Sequence, residues 1–191
     1  MTKSAVSDAY DAPAAVREPR PFLFLEPARL PLRDDPSLAA NCHYLEAAAG
    51  HSMPALVRSL VDFTIALQNK RALEVGNPQP ISVSVLNRRR RAARSWLLAV
   101  LAGRTDAPTR HAVATQWLPT LTGTGPDFGK AVRPARTLIE FVRGAVTACV
   151  FDEPADDLLP HAKALHVLES VLSIHLAAVL EASRVAVVSR K

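Results

Sequence analysis

Three stretches of this 191-residue chain hold residue types that could do chemistry. The first is Cys42-His43 with Glu46 one turn on, which can be drawn as nucleophile, base and orienting acid. A nucleophilic thiol needs its base within hydrogen-bond reach. Adjacent residues on a helix point about 100° apart, so on a helix these two cannot form the pair. Cys42 falls more simply on an apolar stripe with Leu38, Leu45 and Ala49.

The second is the glycine-rich run Gly123-Thr124-Gly125-Pro126-Asp127-Phe128-Gly129-Lys130. A phosphate-binding loop has four residues between its glycines, then lysine, then a hydroxyl for the metal. Here five residues separate Gly123 from Gly129, Ala131 follows the lysine, Pro126 removes an amide, and a helix precedes the loop. The run reads as a connection between helices. Histidines and acids do not assemble either. His161 and His166 are five apart and diverge on a helix, whereas metal-binding pairs favour spacings of three or four. Asp152-Glu153 and Asp156-Asp157 sit among prolines and helix ends, where capping acids belong. His175 lies on an apolar stripe beside Leu172 and Leu176, so it reads first as a hydrogen-bonded core histidine and second as a ligand-binding residue. No metal or cofactor is assigned.

The third is Asn87-Arg88-Arg89-Arg90-Arg91-Ala92-Ala93-Arg94. Residues 68–110 hold nine basic and two acidic side chains, a surplus of seven in a chain whose net charge is only +5. On a helix, stepping back from Ala93 and Leu97 brings Arg89 and Arg90 onto the stripe of Trp96 and Leu97, at the edge of the core or in an interface. Cations near a helix N-terminus are slightly unfavourable, so an anion should compensate them. The source is the acidic cluster at Asp152–Asp157, the carboxylates of a partner protein, or the phosphates of nucleic acid or lipid. No lysine or aromatic residue is interleaved with the arginines, which speaks against nucleic acid.

The elements that must position these residues are helices. Aromatic residues are 5% of the chain while Ala and Leu abound, and no alternating pattern is long enough to require a sheet. Capping residues, prolines and glycines predict helices at about 36–49, 53–75, 84–102, 107–117, 134–151 and 157–183. The short link Gly50-His51-Ser52 predicts that the first two lie antiparallel. Pro119 is expected to close the fourth helix, leaving a loop over 119–134.

Residues 1–35, with Pro13, Pro19, Pro21, Pro27 and Pro31, read as an extended, partly disordered arm. Its exception is Phe22-Leu23-Phe24-Leu25, four large apolar residues between prolines. Such a run packs on its own domain or on a partner, and self-packing is preferred. The N-terminal residues show no apolar core of an export signal, Val171–Leu180 is too short and interrupted for a membrane span, and Cys42 and Cys149 show no metal or disulfide spacing. These features lead to the expectation of a cytoplasmic chain.

Six helices with a histidine on an apolar face resemble globin-like sensor domains in outline, which implies a haem or small-ligand pocket at His175. No motif carries that resemblance further. The sequence therefore predicts an all-α single compact bundle of about six helices over 36–191 behind the arm. Its function is read as a non-enzymatic regulatory or adaptor module. It would bind a protein partner, or itself, through Arg88, Arg89, Arg90, Arg91 and Arg94 and through Phe22, Leu23, Phe24 and Leu25. A nucleic-acid-binding accessory protein is the second reading and the haem or ligand sensor the third.

Overall fold

A computed structural model describes residues 36–74, 76, 80–124, 128–154 and 157–188. The arm and its apolar run at Phe22–Leu25 lie outside the described residues. Within them the chain is all helical: α1 (Pro36–Gly50), α2 (Met53–Glu74), α3 (Val83–Leu101), α4 (Ala107–Ala112), α5 (Leu118–Thr122), α6 (Phe128–Asp152) and α7 (Leu159–Val188). A π-helical turn, Val113–Trp117, joins α4 to α5 without a break, so the bundle is built from six rods.

Local chemistry explains the ends. The Ser82 hydroxyl accepts from the Val85 amide and starts α3. Asp106 starts α4 by accepting from the Thr109 amide at 2.9 Å and the Thr109 hydroxyl at 3.0 Å. At the end of α3 the Gly103 amide donates to the Val100 carbonyl and the Arg104 amide to the Ala99 carbonyl, which together satisfy two orphan helix carbonyls. That motif needs a left-handed residue, and Gly103 supplies it at φ 62°.

Three expectations are corrected. Pro119 does not end the fourth helix. It has no N–H to donate and its ring would press on the carbonyl one turn back. The wide π turn falls there, with the Leu118 amide reaching back to the Val113 carbonyl, and the helix continues to Gly123. The sixth rod but one, α6, begins at Phe128 rather than 134 and runs through Pro134, because Ala131 and Ala135 on either side are buried. The loop expected over 119–134 shrinks accordingly. The link between α1 and α2 also does not make them neighbours. Instead α1 packs on α7, α6 and α3, while α2 packs on α3, α6 and α5. Each helix follows its own stripe, Leu45, Ala48 and Ala49 in α1 and Leu56, Leu60 and Thr64 in α2, and the short turn lets the two diverge.

The longest packed pair is α6 with α7. Leu138, Ile139, Val142 and Val146 face Ala164, Leu168, Val171 and Leu172, all fully or almost fully buried. Phe63 of α2 stacks on Phe141 of α6 with centroids 4.4 Å apart, closing the other side. By length and composition Leu159–Ala186 of α7 is apolar enough to cross a bilayer, with a mean hydropathy of 1.5. In this fold its apolar stripe is the wall of the core.

Gly103 is held for a second reason: a Cβ there would lie 2.5 Å from Cys42 Sγ. Gly103→Ala should therefore cost at least about 2 kcal/mol, from left-handed strain plus the clash. In a Cys42→Ala background the same change should cost only the strain, about 1 kcal/mol. Denaturant melts of the four chains check this, and equal costs in both backgrounds would discard the close approach.

Candidate interaction surface on helix α3

The inner face of α3 is set by Ala92, Ala93, Trp96, Leu97, Val100 and Leu101, all buried. Burying that stripe fixes the rotation of the helix, and the rotation decides the fate of each arginine. Arg89 lies one turn before Ala93 and goes inside, 2% exposed. Arg88, Arg90, Arg91 and Arg94 are exposed, as are Asn87, Ser95 and Leu98, the last at 48%. Of the pair placed by sequence at the edge of the core, Arg89 is in and Arg90 is out.

Arg89 has only neutral partners. Its Nη1 donates to Thr64 Oγ1 at 3.5 Å and its Nη2 to Gln68 Oε1. Its Nε has no hydrogen-bond partner. Gly123 crosses so close that a Cβ there would sit 2.9 Å from Nη2. Burial lowers the pKa of the guanidinium from its ordinary value. Among the described residues no carboxylate pairs with it, so the compensation looked for does not come from Asp152, Glu153 or Asp157. Arg143 of α6 shows the contrast: it meets Glu140 on its own helix and, Nε to Oε1 at 2.6 Å, Glu169 on α7.

The outward arginines form a different group. None of Arg88, Arg90, Arg91 and Arg94 makes an ion pair or side-chain hydrogen bond with another described residue. The antiparallel register set by Arg89 on Gln68 brings the exposed Lys70 and Arg71 of α2 to the same end of the bundle as the first turns of α3. Leu98 adds an exposed apolar side chain at the other end of the arginine face.

His175 occupies the centre. It is fully buried, its Nδ1 accepts from Trp96 Nε1 at 3.2 Å, and its Nε2 faces the Arg104 carbonyl at 2.9 Å. The indole can only donate, so the ring carries its proton on Nε2 and donates to Arg104. Both ring nitrogens are thus engaged, and neither offers a free lone pair. Sequence reasoning placed His175 on the stripe but had no signal for Trp96 or Arg104 as its partners, which are 79 and 71 residues away.

A second buried histidine, His161 of α7, is 3% exposed. It stacks on Phe151, meets Tyr44 edge-on, and brings Nε2 to 3.3 Å from both the Tyr44 hydroxyl and the Glu153 carbonyl. Cys42 is half-buried, and burial first, then the nearby Glu46 carboxylate, raises its pKa, which keeps it a thiol. Among the described residues no group of three or more His, Cys, Asp or Glu could hold a metal ion.

No protein-family model, no curated protein and no solved structure matches the chain. Among the described residues the chain is an all-helical bundle whose exposed arginine face pairs with none of them.

Two outcomes follow. Replacing Arg89 by Met keeps volume and removes the buried charge, so Arg89→Met should be neutral or stabilising. Arg89→Glu leaves an anion in the same enclosed place and should cost about 3 kcal/mol or more. Thermal melts of the two variants check the pair. Burial lowers the His175 pKa from its ordinary value, against smaller upward pushes from the Arg104 carbonyl and Asp106. Below about pH 6.5 the unfolded ring binds a proton that the folded ring refuses, so stability is present above that pH and falls as pH drops through it, by up to about 1.4 kcal/mol per pH unit. His175→Leu should flatten that limb, and at pH 8 should cost about 1–3 kcal/mol for the indole and carbonyl left unpaired. Denaturant midpoints across pH 5–8 would show whether the two curves differ in slope.

Proposed function

We propose that this chain is a non-enzymatic adaptor or regulatory module that binds an acidic protein partner through the outer face of α3. The observation that carries the reading is that Arg88, Arg90, Arg91 and Arg94 are all exposed and none is paired with a described carboxylate. An isolated patch of guanidinium groups attracts anions, and the planar fork pairs bidentately with carboxylates. Arginine beside an apolar residue such as Leu98 is the composition that protein interfaces favour. Arg89 has no place in the contact itself. It sits beneath the surface and ties α3 to α2.

Nucleic acid is the competing anion, since phosphates suit the same forks. The outer face offers no aromatic side chain for stacking and no lysine among its arginines. A haem reading draws no support from His175, both of whose ring nitrogens already have partners.

The triple change Arg90→Glu, Arg91→Glu and Arg94→Glu tests the proposal, because all three side chains are exposed and the fold should tolerate it. In nuclease-treated extract of the native host, the wild-type chain should retain a discrete protein at a fixed stoichiometry. The triple variant, melting within a few degrees of wild type, should lose at least about thirtyfold in affinity, or about 2 kcal/mol. Retention unchanged by the triple variant would remove the reading. Binding of a 20-base-pair duplex that weakens steeply with salt, with no protein retained, would replace it by the nucleic-acid reading.

A further inference from the structure

A cleft of about 650 Å³ opens between α1 and the connection from α3 to α4. Its apolar lining comes from Leu38 and Cys42 of α1, Ala102 at the end of α3 and Pro108 of α4. Its polar lining comes from Arg104, Thr105, Asp106 and Thr109. The volume is that of a site holding two or three large side chains. The helix that forms one wall begins at Pro36, so the 35 residues outside the described structure on the N-terminal side start from the edge of this cleft.

We infer that the cleft is the seat of the chain's own apolar run, Phe22-Leu23-Phe24-Leu25, docked in cis. Length permits it. Ten residues separate Leu25 from Pro36 and can span up to about 33 Å, whereas Cys42 lies only about 9 Å along the helix from Pro36. An extended fit would suit a run set among Pro21, Pro27 and Pro31, since proline and the residue before it disfavour helix. In an extended segment alternate side chains share a face, so Phe22 and Phe24 enter together while Leu23 and Leu25 take the opposite face. The peptide groups between them need partners once water is displaced, and the lining includes side chains that could supply them, Thr105 and Arg104 among them. A second groove of about 540 Å³ runs between α4 and the end of α7, lined by residues such as Ala107, Ala178 and Ala182. It lies away from the root of the arm and is the poorer fit. The inference stands apart from the reading of α3, which uses none of these residues.

Cys42 in the cleft lining reports occupancy. In the full chain carrying Cys149→Ser it is the single thiol. Its native-state labelling by a maleimide should quicken at least about tenfold when Phe22→Ser and Phe24→Ser are added, with the melting temperature held within a few degrees. Equal rates would overturn the inference, and would also be the outcome if the run lay in the second groove. A second measurement needs no comparison of stabilities. In the Cys149→Ser chain, Phe24→Cys should form a disulfide with Cys42 under mild oxidation and yield a monomer. A disulfide-linked dimer would show that the run enters the cleft of a second copy, and no disulfide would show that it enters neither; both results overturn docking in cis. The arginine-face variant of α3 should leave all these rates unchanged, so failure here and failure of the proposed partner binding are separate events.

Discussion

A single chain of hydrogen bonds, from the Trp96 indole through the His175 ring to the Arg104 carbonyl, joins three elements of this bundle that lie far apart in sequence. It ties the middle of α3 to the middle of α7 and pins the connection where α3 turns into α4. A buried indole N–H and a buried imidazole each demand a partner, and here each satisfies the other. The arrangement works only with a neutral ring of one tautomer, which burial enforces. Gly103 shapes the turn so that the Arg104 amide closes α3 and its carbonyl meets His175. The same turn lines the cleft beside α1.

Arg89 is the second constraint. A cation sealed among Thr64, Gln68 and Gly123 is costly, and its neutral partners do not make it a net source of stability. It ties α3 to α2 at the level of Thr64 and Gln68, while the other arginines of the run are exposed. The burial of one arginine and the exposure of four are one structural fact, set by the rotation of α3 about its stripe. The arginine face and the cleft occupy different parts of the surface, one on the outer side of α3 and one at its C-terminal end, so the chain has room for an internal occupant and an external partner together.

Much of the architecture was legible in the residues. Asp106 caps a helix where a short polar side chain precedes an apolar stripe, and Gly76 and Gly103 follow helix ends in left-handed backbone, because capping and left-handed backbone are local demands. Leu45, Leu60, Trp96, Leu138 and Leu168 are buried as their spacing implies. Reading failed at Pro119 and Pro134, where local propensity argued for an end and tertiary burial of Leu121 and Ala131 carried the helix through. It failed also at the turn between α1 and α2, since loop length limits the distance between two helices but not the neighbours each one finds.

For the site the division is similar. That residues 88–94 carry the charge surplus, that His175 lies on an apolar stripe and that the chain is helical were determined by the sequence alone, because charge count and periodicity need no neighbours. Which arginine turns inward, which nitrogen of His175 holds the proton, and which residues face Cys42 were decided only by tertiary structure. Each depends on contacts across dozens of residues, Arg89 with Gln68, His175 with Trp96 and Cys42 with Gly103, and a pattern along one helix cannot specify what stands opposite it.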